Sequence, residues 1–168
     1  MIIRNLLIMM TFLAFGSSLR AEESYPTNLS LVGQSSLSFF WWDIYDAELY
    51  NQSGQYQQDQ WPLLLKLTYQ RSIKSVDLLE ETDSQWQRFN ISQEQRQFWL
   101  SQLAKIWPDV HKDDSIAFYV DNSGNCHFYF NQSFIGSVND AEFSVHFANI
   151  WLAKDGPFPK MTRKLTGG

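Results

Sequence analysis

The sequence predicts an α+β domain in which a mostly antiparallel sheet is covered on one face by helices. Three observations carry that expectation. Strand-like segments come first, two helical stretches follow, and further strands precede a last helix, an order that does not fit a β-α-β alternation. The stretch Asp121-Asn-Ser-Gly124-Asn125 holds the Asn, Asp and Gly of a tight hairpin between two short apolar segments. Three segments also carry apolar residues at helical spacing, and each such stripe needs a surface to bury it.

Residues 29–50 favour β structure. Phe39-Phe-Trp-Trp42 is a dense aromatic run continued by residues 44–50, and aromatic side chains fit a pleated, half-buried surface. Residues 51–60 are rich in glutamine, contain Gly54 and read as a long hairpin loop. Leu63-Leu-Leu-Lys-Leu-Thr-Tyr69 is the next strand, its apolar run pointing to burial over much of both faces.

The periodicity then changes. Ser75 is the expected cap of a helix carrying Val76, Leu79, Trp86 and Phe89. Ser92-Gln-Glu-Gln95 is a stronger start signal, because the serine oxygen can accept from the N3 amide while Gln95 reaches back. Trp99, Leu103 and Ile106 follow at helical spacing, and Pro108 is the expected stop. Residues 115–120 and 126–130 read as strands, and a second short strand includes Phe134-Ile-Gly136. Asn139 or Asp140 caps the final helix, whose Phe143, Phe147, Ile150 and Trp151 form one apolar stripe. Gly156-Pro157 breaks it.

The chain has 168 residues, which favours one domain. Arg4, the apolar run from Leu6 to Phe15 and the small residues up to Ala21 have the layout of a signal peptide over residues 1–21. Residues 22–29 read as a flexible leader and 30–168 as the domain. No second apolar run approaches the roughly 20 residues of a membrane span, so no span is expected after signal cleavage, and the location is periplasmic or secreted. Without Arg4 and Arg20 the 13 basic residues fall to 11 against 18 acidic ones, a balance of −7. Such a surface excludes nucleic acid as a partner and argues against anionic lipid headgroups. Cys126 is the only cysteine, so packing and not a disulfide holds the domain.

Several segments, taken in order, resemble bacterial chalcone isomerase-like domains. Phe39-Phe-Trp-Trp-Asp-Ile-Tyr-Asp-Ala-Glu-Leu49-Tyr50 is similar to the family's early strand with its Leu-Tyr ending. Leu67-Thr-Tyr-Gln-Arg71 is similar to the strand that runs into a helical insert, and Asp113-Asp-Ser-Ile116 to the return into the sheet. The ending, above all Ile150-Trp-Leu152 and Arg163-Lys-Leu-Thr-Gly167, is the most specific piece. The resemblance implies a curved antiparallel sheet packed against helices, an open-faced β-sandwich with a ligand cleft between the layers. In the plant enzymes that cleft closes the third ring of a flavonoid precursor by adding a phenolate to an unsaturated ketone. The reaction needs a cation near the phenolate and hydrogen-bond donors near the developing enolate. The enzymes' arginine would fall in Gly33-Gln-Ser-Ser-Leu-Ser38, which contains none, and their threonine falls on Tyr45. Neither catalytic partner is matched, so no catalytic residue is assigned.

Candidate ligand-binding residues remain. Arg71, at the end of a strand, could pair with a ligand carboxylate. Tyr45 and Tyr69 could supply hydroxyls, and Phe147 and Trp151 an apolar wall. Tyr50 alternates onto the opposite face from Tyr45. Cys126 and His127 are adjacent and so diverge on a strand, which leaves no metal site and no expected cofactor. His146 as an axial ligand to a flat macrocycle is the weaker alternative to a helix histidine with an ordinary role. With 16% aromatic residues, an aromatic-lined small-molecule cleft is the leading expectation. The protein then reads as an exported, non-catalytic binder of a small hydrophobic or amphipathic ligand such as a fatty acid. The alternatives are an isomerase or lyase acting on an enone without the usual arginine, and an envelope scaffold working through a protein partner.

Overall fold

Six strands follow one another across a single antiparallel sheet: β1 (Ser30–Phe39), β2 (Trp42–Asn51), β3 (Leu63–Tyr69), β4 (Ser115–Val120), β5 (Cys126–Phe130) and β6 (Ser133–Val138). Helices α1 (Ser75–Trp86) and α2 (Gln93–Leu103) are inserted between β3 and β4, and α3 (Ala141–Leu152) and α4 (Pro159–Leu165) follow β6. This computed structural model describes residues 24–168. The signal peptide expected over residues 1–21 lies outside the described residues. No helix among the described residues is long and apolar enough to cross a membrane.

Register sorts the side chains. Leu49, Leu65, Phe118 and Phe128 pair across β2–β5 and face the helices, while their neighbours Tyr50, Leu64, Tyr119 and His127 face away. The helix-facing row is buried. On the outer face Leu64, Ala117 and Tyr129 form a smaller cluster with Tyr25 and Leu29 packed against it. The burial of β3 on both faces thus follows its apolar run. It also shows that part of the leader, residues 25 and 29, lies against the sheet.

The aromatic run 39–42 departs from expectation. It is a hairpin tip, with Phe39 paired to Trp42 and the chain reversing through Phe40 and Trp41, which are 81% and 82% exposed. Phe40 takes a positive φ of 55°, uncommon for a bulky side chain. The tetrapeptide contains none of the Gly, Asn or Asp that usually marks such a turn, so its composition reads as strand.

Helix ends follow polar side chains. Ser92 Oγ accepts from the Gln95 amide at 3.1 Å, and Asp140 Oδ1 accepts from Glu142 and Phe143 at 2.9 and 3.3 Å. Ser75 does not cap α1. Its own amide donates to Asp109 Oδ1 at 2.8 Å, so a residue from the far side of the insert closes the helix start. Helix α4, which begins with Pro159, was not expected. It packs on β1 at Gly33, where a Cβ would fall 2.2 Å from the Lys164 carbonyl oxygen. Only glycine allows that approach.

The helices meet the sheet through aromatic rings. Trp86, Trp99, Phe143, Phe147 and Phe128 form a continuous edge-and-stack cluster, with Trp86 and Trp99 5.3 Å apart at their centroids. Each indole N–H is satisfied: Trp86 donates to the His146 carbonyl and Trp99 to Asp140 Oδ2. The same Asp140 therefore caps α3 and ties it to α2.

Candidate functional site

The helix layer does not fill the space over β2, β3 and β4. A cavity of about 550 Å³ remains there, within the roughly 300–1,000 Å³ of small-molecule pockets. Leu65, Leu67, Tyr69, Ile116 and Phe118 form its sheet wall, and Leu78, Thr82 and Gln85 of α1 form the opposite wall. Phe147, Ile150 and Trp151 of α3 line a third side, and Trp107 and Phe128 also border it. Exposed lining residues mark the rim: Ser38 and Phe39 from the end of β1, Asp77 and Glu81 from α1.

Few polar groups enter this space. Tyr45 Oη accepts from Trp151 Nε1 at 2.8 Å, which orients the phenol and leaves its own proton available. Tyr69 stands beside it, the ring centroids 6.1 Å apart, and its hydroxyl has no hydrogen-bond partner among the described residues. Burial pushes both phenols well above the ordinary tyrosine range; for Tyr45 the Trp151 bond works against the shift and the Glu81 charge adds to it. Both therefore act as neutral hydroxyls at physiological pH. Gln85 Nε2 donates to Glu81 Oε1. Gln85 Oε1 and Trp107 Nε1 are buried without a partner among the described residues. Among the described residues no lysine, arginine or histidine lines the cavity.

Of the residues expected at a ligand site, Tyr45, Tyr69, Phe147 and Trp151 line one cavity, but Arg71 does not. Strand β3 ends at Tyr69, and Arg71 emerges exposed beyond it, its guanidinium 4.7 Å from the centre of the Trp42 ring. It borders a separate shallow depression with Trp41, Asp43, Gln70 and Lys112. A guanidinium that finds an aromatic face at the surface keeps both its hydration and a favourable contact, whereas the apolar interior offers neither.

The other candidates stand away from the cavity lining. Tyr50, on the outer face, donates to Glu48 Oε1 at 2.8 Å; burial and that carboxylate push it up to about 12. Glu48 also pairs with Lys66 at 3.0 Å, and Asp46 accepts from Ser36 and Gln70, so the neighbouring carboxylates hold separate partners. Cys126 is fully buried, and His127 on the outer face lies within hydrogen-bond distance of Asp121 and Ser137. His146 packs its ring beside Trp99, away from the cavity lining, and its Nδ1 is buried without a partner among the described residues. Among the described residues no group of three or more potential ligands could hold a metal ion.

Sequence reasoning missed the α1 wall. Asp77, Leu78, Glu81, Thr82 and Gln85 recur at helical spacing, and that stripe is legible, but its polarity reads as a solvated face. The rim contribution of Leu37, Ser38 and Phe39 was hidden by the unrecognised hairpin turn.

No family model matches the chain. An uncharacterized protein of Haemophilus influenzae is 24% identical over 136 residues, which cover 81% of this chain and 67% of that protein. Among solved structures, a fatty-acid binding protein of Arabidopsis thaliana matches with a TM-score of 0.63 at 11% identity, over 86% of this chain and 90% of that one. At that identity the likeness is one of fold. The α+β open sheet with its helix layer is the chalcone isomerase-like fold.

Proposed function

We propose that this protein is a non-catalytic binder of one small hydrophobic or amphipathic molecule, held between the sheet and helices α1 and α3. One observation carries the reading: a chain rich in large rings leaves about 550 Å³ of apolar-walled space unfilled, although close packing is the rule for protein interiors. The fold shared with a fatty-acid binding protein supports it. A fatty acid whose carboxylate sits on Arg71 loses its support, because that guanidinium stands outside the lining. The absence of matching catalytic residues, with no cation in the lining and two neutral tyrosines, supports a binding role over enone cyclisation, and chalcones are expected to pass unchanged.

Native mass spectrometry on protein purified without detergent tests the reading. A single small adduct that organic solvent removes, or a rise in melting temperature with added aliphatic ligands, supports it. A protein that is always empty and shifts with none of them contradicts it. Export to the periplasm or medium, proposed from residues 1–21, is tested separately by fractionation and N-terminal sequencing of the mature chain. A scaffold role draws on a different observation, the exposed aromatic tip 39–42; a partner captured by the wild type but lost on replacing that tip with a Gly-Asn turn would favour it.

A further inference from the structure

We infer that the ligand's polar end is an uncharged or cationic hydrogen-bond donor, a hydroxyl or an ammonium, and not a carboxylate. This rests on the reading of the cavity as a binding site and goes further, to the head group it selects.

The charge pattern comes first. Among the described residues that line the cavity, the ionisable groups other than tyrosine are Asp77 and Glu81, and none is basic. The two acids sit one helical turn apart on α1, so they share a face and meet at the rim. Glu81 and Tyr45 line the same cavity, and the Glu81 charge adds to the rise of the Tyr45 phenol. An anionic head at the same point would meet a like charge with no cation to offset it.

The hydrogen-bond inventory points the same way. Gln85 is buried and lines the cavity, and one N–H of its amide goes to Glu81. Its oxygen, without a partner among the described residues, can only accept, so it calls for a donor. Across the cavity Tyr69 and Trp107 offer N–H and O–H groups without partners among the described residues. These call for an acceptor. A hydroxyl answers both, since it donates and accepts. An ammonium donates to Glu81 and Gln85. A carboxylate can only accept, leaving Gln85 Oε1 unmet, and an unmet buried polar atom is the costly case.

The test uses three probes with one tail: dodecanol, dodecylamine and dodecanoate. Each displaces an uncharged naphthylamine dye from the full protein near neutral pH, below its micelle concentration. The inference predicts that dodecanol and dodecylamine compete at concentrations about tenfold or more below dodecanoate, as one uncompensated like charge at a partly solvated site implies. In the variant Asp77→Asn/Glu81→Gln the gap narrows from both sides: dodecanoate gains and dodecylamine loses. Arg71→Ala leaves the order unchanged. Dodecanoate competing as well as dodecanol in the wild type overturns the inference while leaving the binding site intact, as does an unchanged gap between dodecylamine and dodecanoate in the acidic-rim variant. Failure of the dye and all three probes to bind overturns the cavity reading itself, and this inference with it.

Discussion

The two halves of the interior use similar side chains to opposite ends. Over β5 and β6, Trp86, Trp99, Phe143 and Phe128 interlock ring to ring, and three of them are fully buried with Trp99 1% exposed. Over β2 and β3 the wall is Leu65, Leu67, Tyr45 and Tyr69, and a void faces it. Trp107, Phe128 and Phe147 belong to both, bordering the void on one side and packing against one another on the other. Such a cavity stays open by a division of labour between the two ends. Rigid rings at one end set the distance between helices and sheet, and the shorter side chains at the other end cannot span it.

Truncation should break the comparison most visibly. Trp86→Ala, at the packed end, is expected to cost about 3–5 kcal/mol, read from urea unfolding. Leu67→Ala, in the cavity wall, is expected near the lower end for leucine, about 2 kcal/mol, because part of its surface already lacks neighbours. Equal costs would mean that the two ends are packed alike.

Overfilling should give the reverse order. Cys126→Phe inserts a ring where there is no room and is expected to destabilise by about 1–3 kcal/mol. Leu67→Phe points into the void and is expected to change stability by less than about 1 kcal/mol while abolishing ligand binding. Unfolding curves and dye titration of the two variants check this pair.

Cys126 also reports on the packed end. Burial, with a smaller push from Asp121, raises its thiol well above the ordinary range. A raised folded-state value means that the neutral thiol's contribution to stability is whole below the unfolded pKa of about 8.5 and is lost as pH climbs through the folded value. The native protein is therefore expected to resist dithiobis(nitrobenzoate) at pH values where the unfolded chain reacts at once. The reaction rate should follow unfolding and should slow with bound ligand only by as much as the ligand stabilises the fold.

The smallest effect is expected at the start of α1, the helix that walls both regions. The hydrogen bond from Lys74, with that from the Ser75 amide, holds Asp109 below the usual carboxylate range. Its contribution is present above the ordinary carboxylate pKa and lost as pH falls through the lowered folded value. Asp109→Asn should lower the melting temperature slightly at neutral pH and converge with the wild type in acid. Hydrogen exchange should quicken in the first turn of α1, on the cavity side, before it does near Trp86.

These contrasts also explain what was legible in the sequence. Strand β3 declared itself by its apolar run, α2 and α3 by stripes behind Ser92 and Asp140, and the β4–β5 hairpin by Asp121-Asn-Ser-Gly124. In each case local preference and tertiary burial agree. Four of the cavity residues, Tyr45, Tyr69, Phe147 and Trp151, were legible because period and family resemblance coincide. The rest was hidden where they conflict. Phe40 and Trp41 turn the chain without turn chemistry. Helix α4 is seven residues long and too short to show a period. The α1 stripe faces a cavity, and a polar rim looks like a solvent face. Arg71 lies two residues past the end of β3, where alternation no longer decides direction.

If the void between Leu67 and Phe147 is a binding site, diffraction from crystals grown with a brominated dodecanol shows it directly. The expected result is an anomalous peak inside the cavity, walled by Leu67, Leu78 and Phe147, with the hydroxyl toward Tyr69 and Gln85. A peak confined to the exposed tip at Phe40 and Trp41, with side chains collapsed into the former void, would contradict it.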